Sequence, residues 1–145
     1  MINKDFFKKI RILDGGMGQE LLARGMKPNS TLWSANAILD ANYHQLVLDT
    51  HVDFIKAGAE VIVTTTFATR QKRLKENNLL NKFEYLNQKA GEIAQAAKQN
   101  FPNTYIAGGI PPQNLTYEAD NRDEIEIIEK DSIFNEENTN IFIYY

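Results

Sequence analysis

Asp14 stands at the head of a glycine-rich turn, Asp14-Gly15-Gly16-Met17-Gly18, with an apolar approach of Ile10, Ile12 and Leu13 before it and a helix-prone run from Gln19 to Arg24 after it. A carboxylate delivered by a strand end can hold a cation, and backbone N–H groups exposed at the turn can hold an anion. Together they suit a zwitterionic amino acid. The glycines open backbone conformations that other residues avoid. The same residues also read as a tight strand-to-helix turn in which Asp14 is only an N-cap, because Asp-Gly-Gly is common turn chemistry. Two nucleotide readings fail by counting. Starting from Gly16 and Gly18, the third glycine of a dinucleotide fingerprint falls at Leu21, and no Gly-Lys-Ser/Thr follows to make a phosphate loop.

These residues need elements to position them. The 10–13 segment reads as a first strand. Tyr43, Leu46, Val47, Thr50, Phe54 and Ile55 recur at helical spacing, with Asp40 or Asn42 as a cap and Gly58 where a left-handed C-terminal cap belongs. Ser34 to Leu39 reads as a short helical turn. The β-branched run 60–65 has no polar face, as expected of a strand buried on both sides of a parallel sheet. A second long helix carries Phe83, Leu86, Ala90, Ile93, Ala94 and Ala97 and is broken by Pro102. Residues 104–110 form a further strand, and a helix is expected over 121–129. Alternating strands and helices predict an α/β fold with parallel strands.

With 43% hydrophobic residues, the 145-residue chain can bury a core. It has no cysteine, which excludes disulfides and thiolate metal sites, and its two histidines cannot close a zinc site unaided. Neither a secretory signal nor a membrane span is legible, so a cytoplasmic protein is expected. The net charge of −3 conceals a local acidic stretch: residues 118–137 hold nine acidic and two basic residues. Arg70, Lys72, Arg73 and Lys75 read as a solvated helix face rather than as phosphate contacts, and no nucleic-acid partner is expected. From about residue 130 the helical period fades. The closing run Ile141-Phe-Ile-Tyr-Tyr145 is β-prone, has no following helix or partner in the sequence, and is expected to lower solubility.

Three strand ends thus carry groups capable of chemistry: Asp14 with its glycines, Thr64-Thr65-Thr66-Phe67, and Ala107-Gly108-Gly109-Ile110-Pro111. Together with Leu32-Trp33-Ser34 and the run from His51 to Glu60, their order and spacing over roughly residues 10 to 128 resemble the homocysteine S-methyltransferase family. The resemblance implies a (β/α)8 TIM barrel with its site at the carboxy-terminal strand ends. This chain then carries the amino-terminal three βα units, incomplete, over residues 1–129, followed by an atypical acidic then apolar tail at 130–145. It implies that Asp14 contacts the amino group of homocysteine and that backbone N–H groups around Gly15 and Gly16 take its carboxylate; Thr66 at the strand end and Trp33 near the mouth are expected beside them in the substrate site. It further implies that three cysteines on later strands hold zinc, which favours the thiolate that attacks a methyl donor to give methionine.

The chain departs from that pattern. It lacks every cysteine, and it lacks the fourth-strand segment whose glutamate helps hold the amino group in the family. Gln19 stands where Thr or Ser is more usual, a minor change. No catalytic residue, metal ligand or cofactor is therefore expected in this chain. Homocysteine, a methyl donor and a complementary carboxy-terminal half are the expected partners of the complete barrel. The leading reading is a truncated, catalytically incomplete methyltransferase. The competing reading is a non-catalytic half-barrel that serves binding or assembly, or is a decaying gene product.

At individual positions, Thr64 to Phe67 could equally fill a barrel interior, and Trp33 could be a packing plug. His51 is expected to join helix to sheet on the outside of the barrel, away from the site. Gly108 and Gly109 mark a close backbone approach rather than a phosphate cradle, because Pro111 and Pro112 lack the N–H groups a cradle needs.

Overall fold

The computed structural model describes residues 4–111 and 141–144. Five α-helices, α1 (Met17–Ala23), α2 (Ala35–Leu39), α3 (His44–Lys56), α4 (Gln71–Glu76) and α5 (Phe83–Lys98), accompany three strands, β1 (Val61–Val63), β2 (Tyr105–Ile110) and β3 (Ile141–Tyr144). The strands form one parallel sheet in the order β1-β2-β3.

Helix ends follow the local chemistry. Asp40 accepts from the Asn42 N–H at 3.0 Å and starts the 3-10 turn Ala41–Tyr43 that leads into α3. At the other end Gly58 has φ +113°, and the N–H groups of Gly58 and Ala59 donate to Ile55 and Phe54 at 3.0 Å each. This is the crossed bonding of a Schellman cap, whose left-handed residue favours glycine.

Alternation along the strands separates two layers. Ile62 and Ile106 pack with Ile55, Ala94 and Ala97 beneath α3 and α5. Val61, Val63, Tyr105 and Ala107 face the other way, where Phe6 covers them, its ring meeting that of Tyr105 edge-on at 4.6 Å. A separate apolar core of Leu21, Ile38, Val47, Leu74 and Leu86 locks the helices to one another. No helix among the described residues is long and apolar enough to cross a membrane.

Four sequence expectations need correction. The approach at 10–13 is not a full strand: it joins the sheet through one parallel bridge, Leu13 to Val61, with the Asp14 N–H donating to the Val61 carbonyl at 3.0 Å. Its outer side meets no neighbour among the described residues, leaving Ile10 96%, Ile12 59% and Leu13 48% exposed. The closing apolar run does have a partner. Residues Ile141 to Tyr144 pair in parallel with Ala107 to Ile110, because the outer edge of β2 offers unpaired backbone groups that a β-prone segment satisfies.

Arg70 does not share a solvated face with Lys72 and Lys75. It lies at the start of α4 and is buried, whereas those lysines are exposed. The fourth correction concerns His51 and belongs to the site. The expected helix over 121–129 and the acidic stretch 118–137 lie outside the described residues.

Candidate functional site

Asp14 reaches its position because the approach segment is tied down at both ends. The Ile12 carbonyl accepts from the Glu60 and Val61 N–H groups at 2.9 and 3.2 Å, and Arg11 pairs with the Glu60 carboxylate at 2.9 Å. The Asp14 side chain then turns under β1, where its Oδ2 accepts the Val63 N–H at 2.9 Å. It is only 4% exposed. Burial raises its pKa from 3.8 to about 7, and the hydrogen bond from Val63 opposes that rise.

Above it lies a cavity of about 200 Å³ lined by the Asp14–Gly18 turn, Trp33 and Ser34, and the strand-end residues Val63, Thr64, Thr65 and Phe67. The carboxylate is therefore set into a half-polar hollow at the carboxy-terminal end of β1. Gly15 and Gly16 are exposed on its rim, and the Gly16 carbonyl turns into α1, accepting from Gln19 and Glu20 at 3.1 Å each. A β-carbon on Gly15 would come within 2.8 Å of the Phe54 ring, so the turn passes too close to α3 for a side chain there. Trp33 is half-buried with φ +50°, an unusual conformation for a large residue, and its backbone N–H donates to the Asn29 carbonyl at 2.9 Å.

Thr66, expected among the substrate contacts, is not part of the cavity lining. Its hydroxyl donates to the Gly109 carbonyl at 2.9 Å and lies 3.0 Å from the Thr64 hydroxyl, tying the ends of β1 and β2 together. Gly109 permits that tie. A β-carbon on it would approach Val63 Cγ1 at 3.3 Å and Thr66 Oγ1 at 3.4 Å, in keeping with a close backbone approach.

His51 does not lie away from the site. Its fully buried ring projects inward from α3, with Nδ1 3.8 Å from Asp14 Oδ2 and Nε2 3.5 Å from the Thr65 hydroxyl. Burial lowers its pKa from 6.5 to about 4, so the ring is neutral at neutral pH. The signal was present in the sequence: His51 stands four residues from both Val47 and Ile55, on the inward stripe of the helix.

The donor set does not fit zinc. The chain has no cysteine, and among the described residues no three His, Cys, Asp or Glu side chains gather. Asp14 and His51 make a pair, short of the four ligands of a closed site or the three protein ligands of an open one.

A small parallel sheet flanked by helices, with a cavity lined in part by Asp14 at a strand end, defines an α/β architecture. The family model for homocysteine S-methyltransferase matches residues 11–140. Homocysteine S-methyltransferase 2 of Saccharomyces cerevisiae is 30% identical over 114 residues, which cover 72% of this chain and 35% of that protein. Homocysteine S-methyltransferase 2 of Zea mays is 34% identical over 104 residues, covering 71% of this chain and 30% of that protein. Among solved structures, the metallated form of the Escherichia coli homocysteine methyltransferase MmuM superposes with a TM-score of 0.71 at 21% identity, covering 97% of this chain and 56% of that one. Its oxidized form gives 0.63 at 28% identity over 73% of this chain and 39% of that one. The chain belongs to the homocysteine S-methyltransferase family, and it spans about a third of the length of these two relatives.

Proposed function

We propose that the Asp14 cavity binds the amino-acid end of homocysteine, and that this chain is the substrate-binding amino-terminal part of a cytoplasmic (β/α)8 barrel that methylates the homocysteine thiol to methionine. The observation that carries the reading is the buried Asp14 carboxylate, fixed through Oδ2 by the Val63 N–H at 2.9 Å on the floor of the cavity. A buried carboxylate held this way is costly without a cation, and a substrate ammonium group supplies one.

In this reading the N–H groups of Gly15 and Gly16 take the substrate carboxylate, and Trp33 covers the aliphatic part. Thr66 contributes by fixing the strand ends on which Thr64 and Thr65 stand. Residues 1–129 form the partial barrel domain, with 130–145 an atypical tail. Zinc belongs to the complete family barrel. Because the donors of this chain do not fit it, no step of methyl transfer is assigned to residues here, and the methyl donor and a complementary carboxy-terminal half are the remaining partners.

A second reading, a binding or assembly module without catalysis, draws on the open outer side of residues 10–13 with its exposed Ile10, Ile12 and Leu13.

Both are tested by titrating the 15N-labelled chain with L-homocysteine while following amide and indole resonances. Saturable shifts confined to Gly15, Gly16, Thr65 and the Trp33 indole are expected. Shifts spread over unrelated surfaces, or none, would overturn the binding reading. A methyl-transfer assay on the chain alone and with a co-expressed carboxy-terminal half separates the two functions: activity only in the pair supports the split enzyme, and none in either supports the module.

A further inference from the structure

We infer that His51 is a positioning residue for Asp14: its Nδ1–H holds Oδ2 in place from beneath, so that Oδ1 is presented to the ammonium group of the ligand. This inference rests on the amino-acid reading of the cavity. It goes beyond that reading by assigning a role to a residue on the helix behind the sheet.

The geometry is one-sided. Asp14 Oδ2 has the Val63 N–H at 2.9 Å on one flank and His51 Nδ1 at 3.8 Å on another. That nitrogen is buried and has no hydrogen-bond partner at this separation, and a buried polar atom without a partner needs an explanation. The other ring nitrogen lies 3.5 Å from the Thr65 hydroxyl, which can donate to it. A neutral imidazole has one donor and one acceptor nitrogen. With the proton on Nε2, the bare Nδ1 lone pair faces Oδ2, an oxygen that already accepts from Val63 and so presents lone pairs of its own, which is repulsive. With the proton on Nδ1, the ring dipole points its positive end at Oδ2 while Nε2 accepts from Thr65.

The second arrangement is the electrostatically favourable one: Nε2 accepts from Thr65, and the Nδ1–H dipole is directed at Oδ2 across 3.8 Å. It also links the two walls of the cavity, because Thr65 and Asp14 both line it. The depressed pKa of the ring agrees with a neutral dipole acting here instead of an imidazolium ion. With the Val63 N–H bonded to Oδ2 and the Nδ1–H dipole directed at the same oxygen, Oδ1 is the oxygen assigned to the ligand.

The tautomer is read directly from long-range 1H–15N spectra of the whole chain labelled on histidine nitrogens. At pH 7 the His51 ring is expected to be neutral with its proton on Nδ1, and a proton on Nε2 would overturn the inference whether or not any variant folds. Titrations with L-homocysteine then compare the wild type with His51→Asn, whose amide N–H falls near the Nδ1 position, and His51→Leu, which has no donor. His51→Leu is expected to bind at least tenfold more weakly than the wild type, with His51→Asn recovering at least fivefold over His51→Leu. Equal binding by the wild type and His51→Leu contradicts the proposed role. Asp14→Asn is the control that distinguishes the two failures. If that variant binds homocysteine as the wild type does, the amino-acid reading of the cavity fails, and the tautomer still decides whether His51 orients Asp14.

Discussion

Gly18 lies against Trp33 so closely that a β-carbon on the glycine would overlap the indole Nε1 and approach Cε2 to 2.9 Å. The first turn of α1 and the aromatic residue at the cavity mouth are therefore fitted to each other. Alanine in place of a helical glycine ordinarily adds about 1 kcal/mol of stability. Here the added methyl group must displace the half-buried ring of Trp33, a residue whose backbone has φ +50°.

Gly18→Ala is accordingly expected to destabilise the chain by roughly 1–3 kcal/mol, the usual cost of overpacking, and to move Trp33 off the cavity. Because the chain has one tryptophan, its fluorescence maximum reports that movement without ambiguity. An unchanged emission spectrum with a raised melting temperature would show that the ring is not packed on the turn.

Asp14 and His51 make opposite contributions to the pH dependence of stability. The Asp14 pKa is raised from 3.8 to about 7, so the folded state binds the extra proton, and stability contributed by this group is lost as pH rises across that interval. The His51 pKa is lowered from 6.5 to about 4, so stability contributed by the histidine is lost as pH falls across that interval. The two slopes oppose each other between about pH 4 and 6.5. Wild-type melting temperature is expected to vary little there, whereas Asp14→Asn removes one slope and should melt at progressively lower temperature as the medium is acidified. Parallel profiles for the two proteins would contradict the raised pKa of Asp14.

Much of this arrangement was legible in the residues themselves. The stripe from Tyr43 to Ile55, the caps at Asp40 and Gly58, and the β-branched run 60–65 each obey a local rule, and α3 and β1 form within those segments, β1 being shorter than expected at Val61–Val63. The Asp14 turn was legible for the same reason, since its glycines let the chain pass tightly from the approach segment into α1. What could not be read were relationships set by tertiary contact. That Thr66 bonds to Gly109 while Thr64 and Thr65 line the cavity depends on how the strand end curls, which no periodicity encodes. The partner of residues 141–144 was hidden because strand pairing is a long-range event. His51 was on the inward stripe, but only the placement of α3 behind β1 brings its ring to Asp14.

The pairing of β3 with β2 reverses the expectation for the tail. Deleting residues 141–145 uncovers the backbone edge of Ala107 to Ile110. An uncovered edge is a template for association. The deletion is expected to increase aggregation, measured by light scattering at matched concentration. Its counterpart is charge placed on the open approach segment: Ile10→Lys, at a side chain 96% exposed, should reduce self-association without lowering the melting temperature. Improved solubility on deleting the tail would argue that β3 does not pair with the sheet in solution.

Zinc content gives a simple check on the donor argument. With no cysteine in the chain, dialysis against zinc followed by metal analysis is expected to leave no stoichiometric, tightly held ion, and the chain alone should transfer no methyl group to homocysteine. One zinc per chain together with turnover would contradict the conclusion that the donors of this chain do not fit zinc.

The central claim is that Asp14 receives the ammonium group of an amino acid, and it is tested most directly by comparing L-homocysteine with 4-mercaptobutanoate, which keeps the thiol and carboxylate but lacks the amine. Charge-assisted hydrogen bonds contribute about 1.5–3 kcal/mol, or roughly 10- to 150-fold in affinity. In calorimetric titrations the wild type should prefer homocysteine over the desamino analogue by a factor in that range, and Asp14→Asn should lose the preference while binding the analogue about as well as before. A preference that survives unchanged in Asp14→Asn would contradict the account and leave Asp14 as a structural element of the turn.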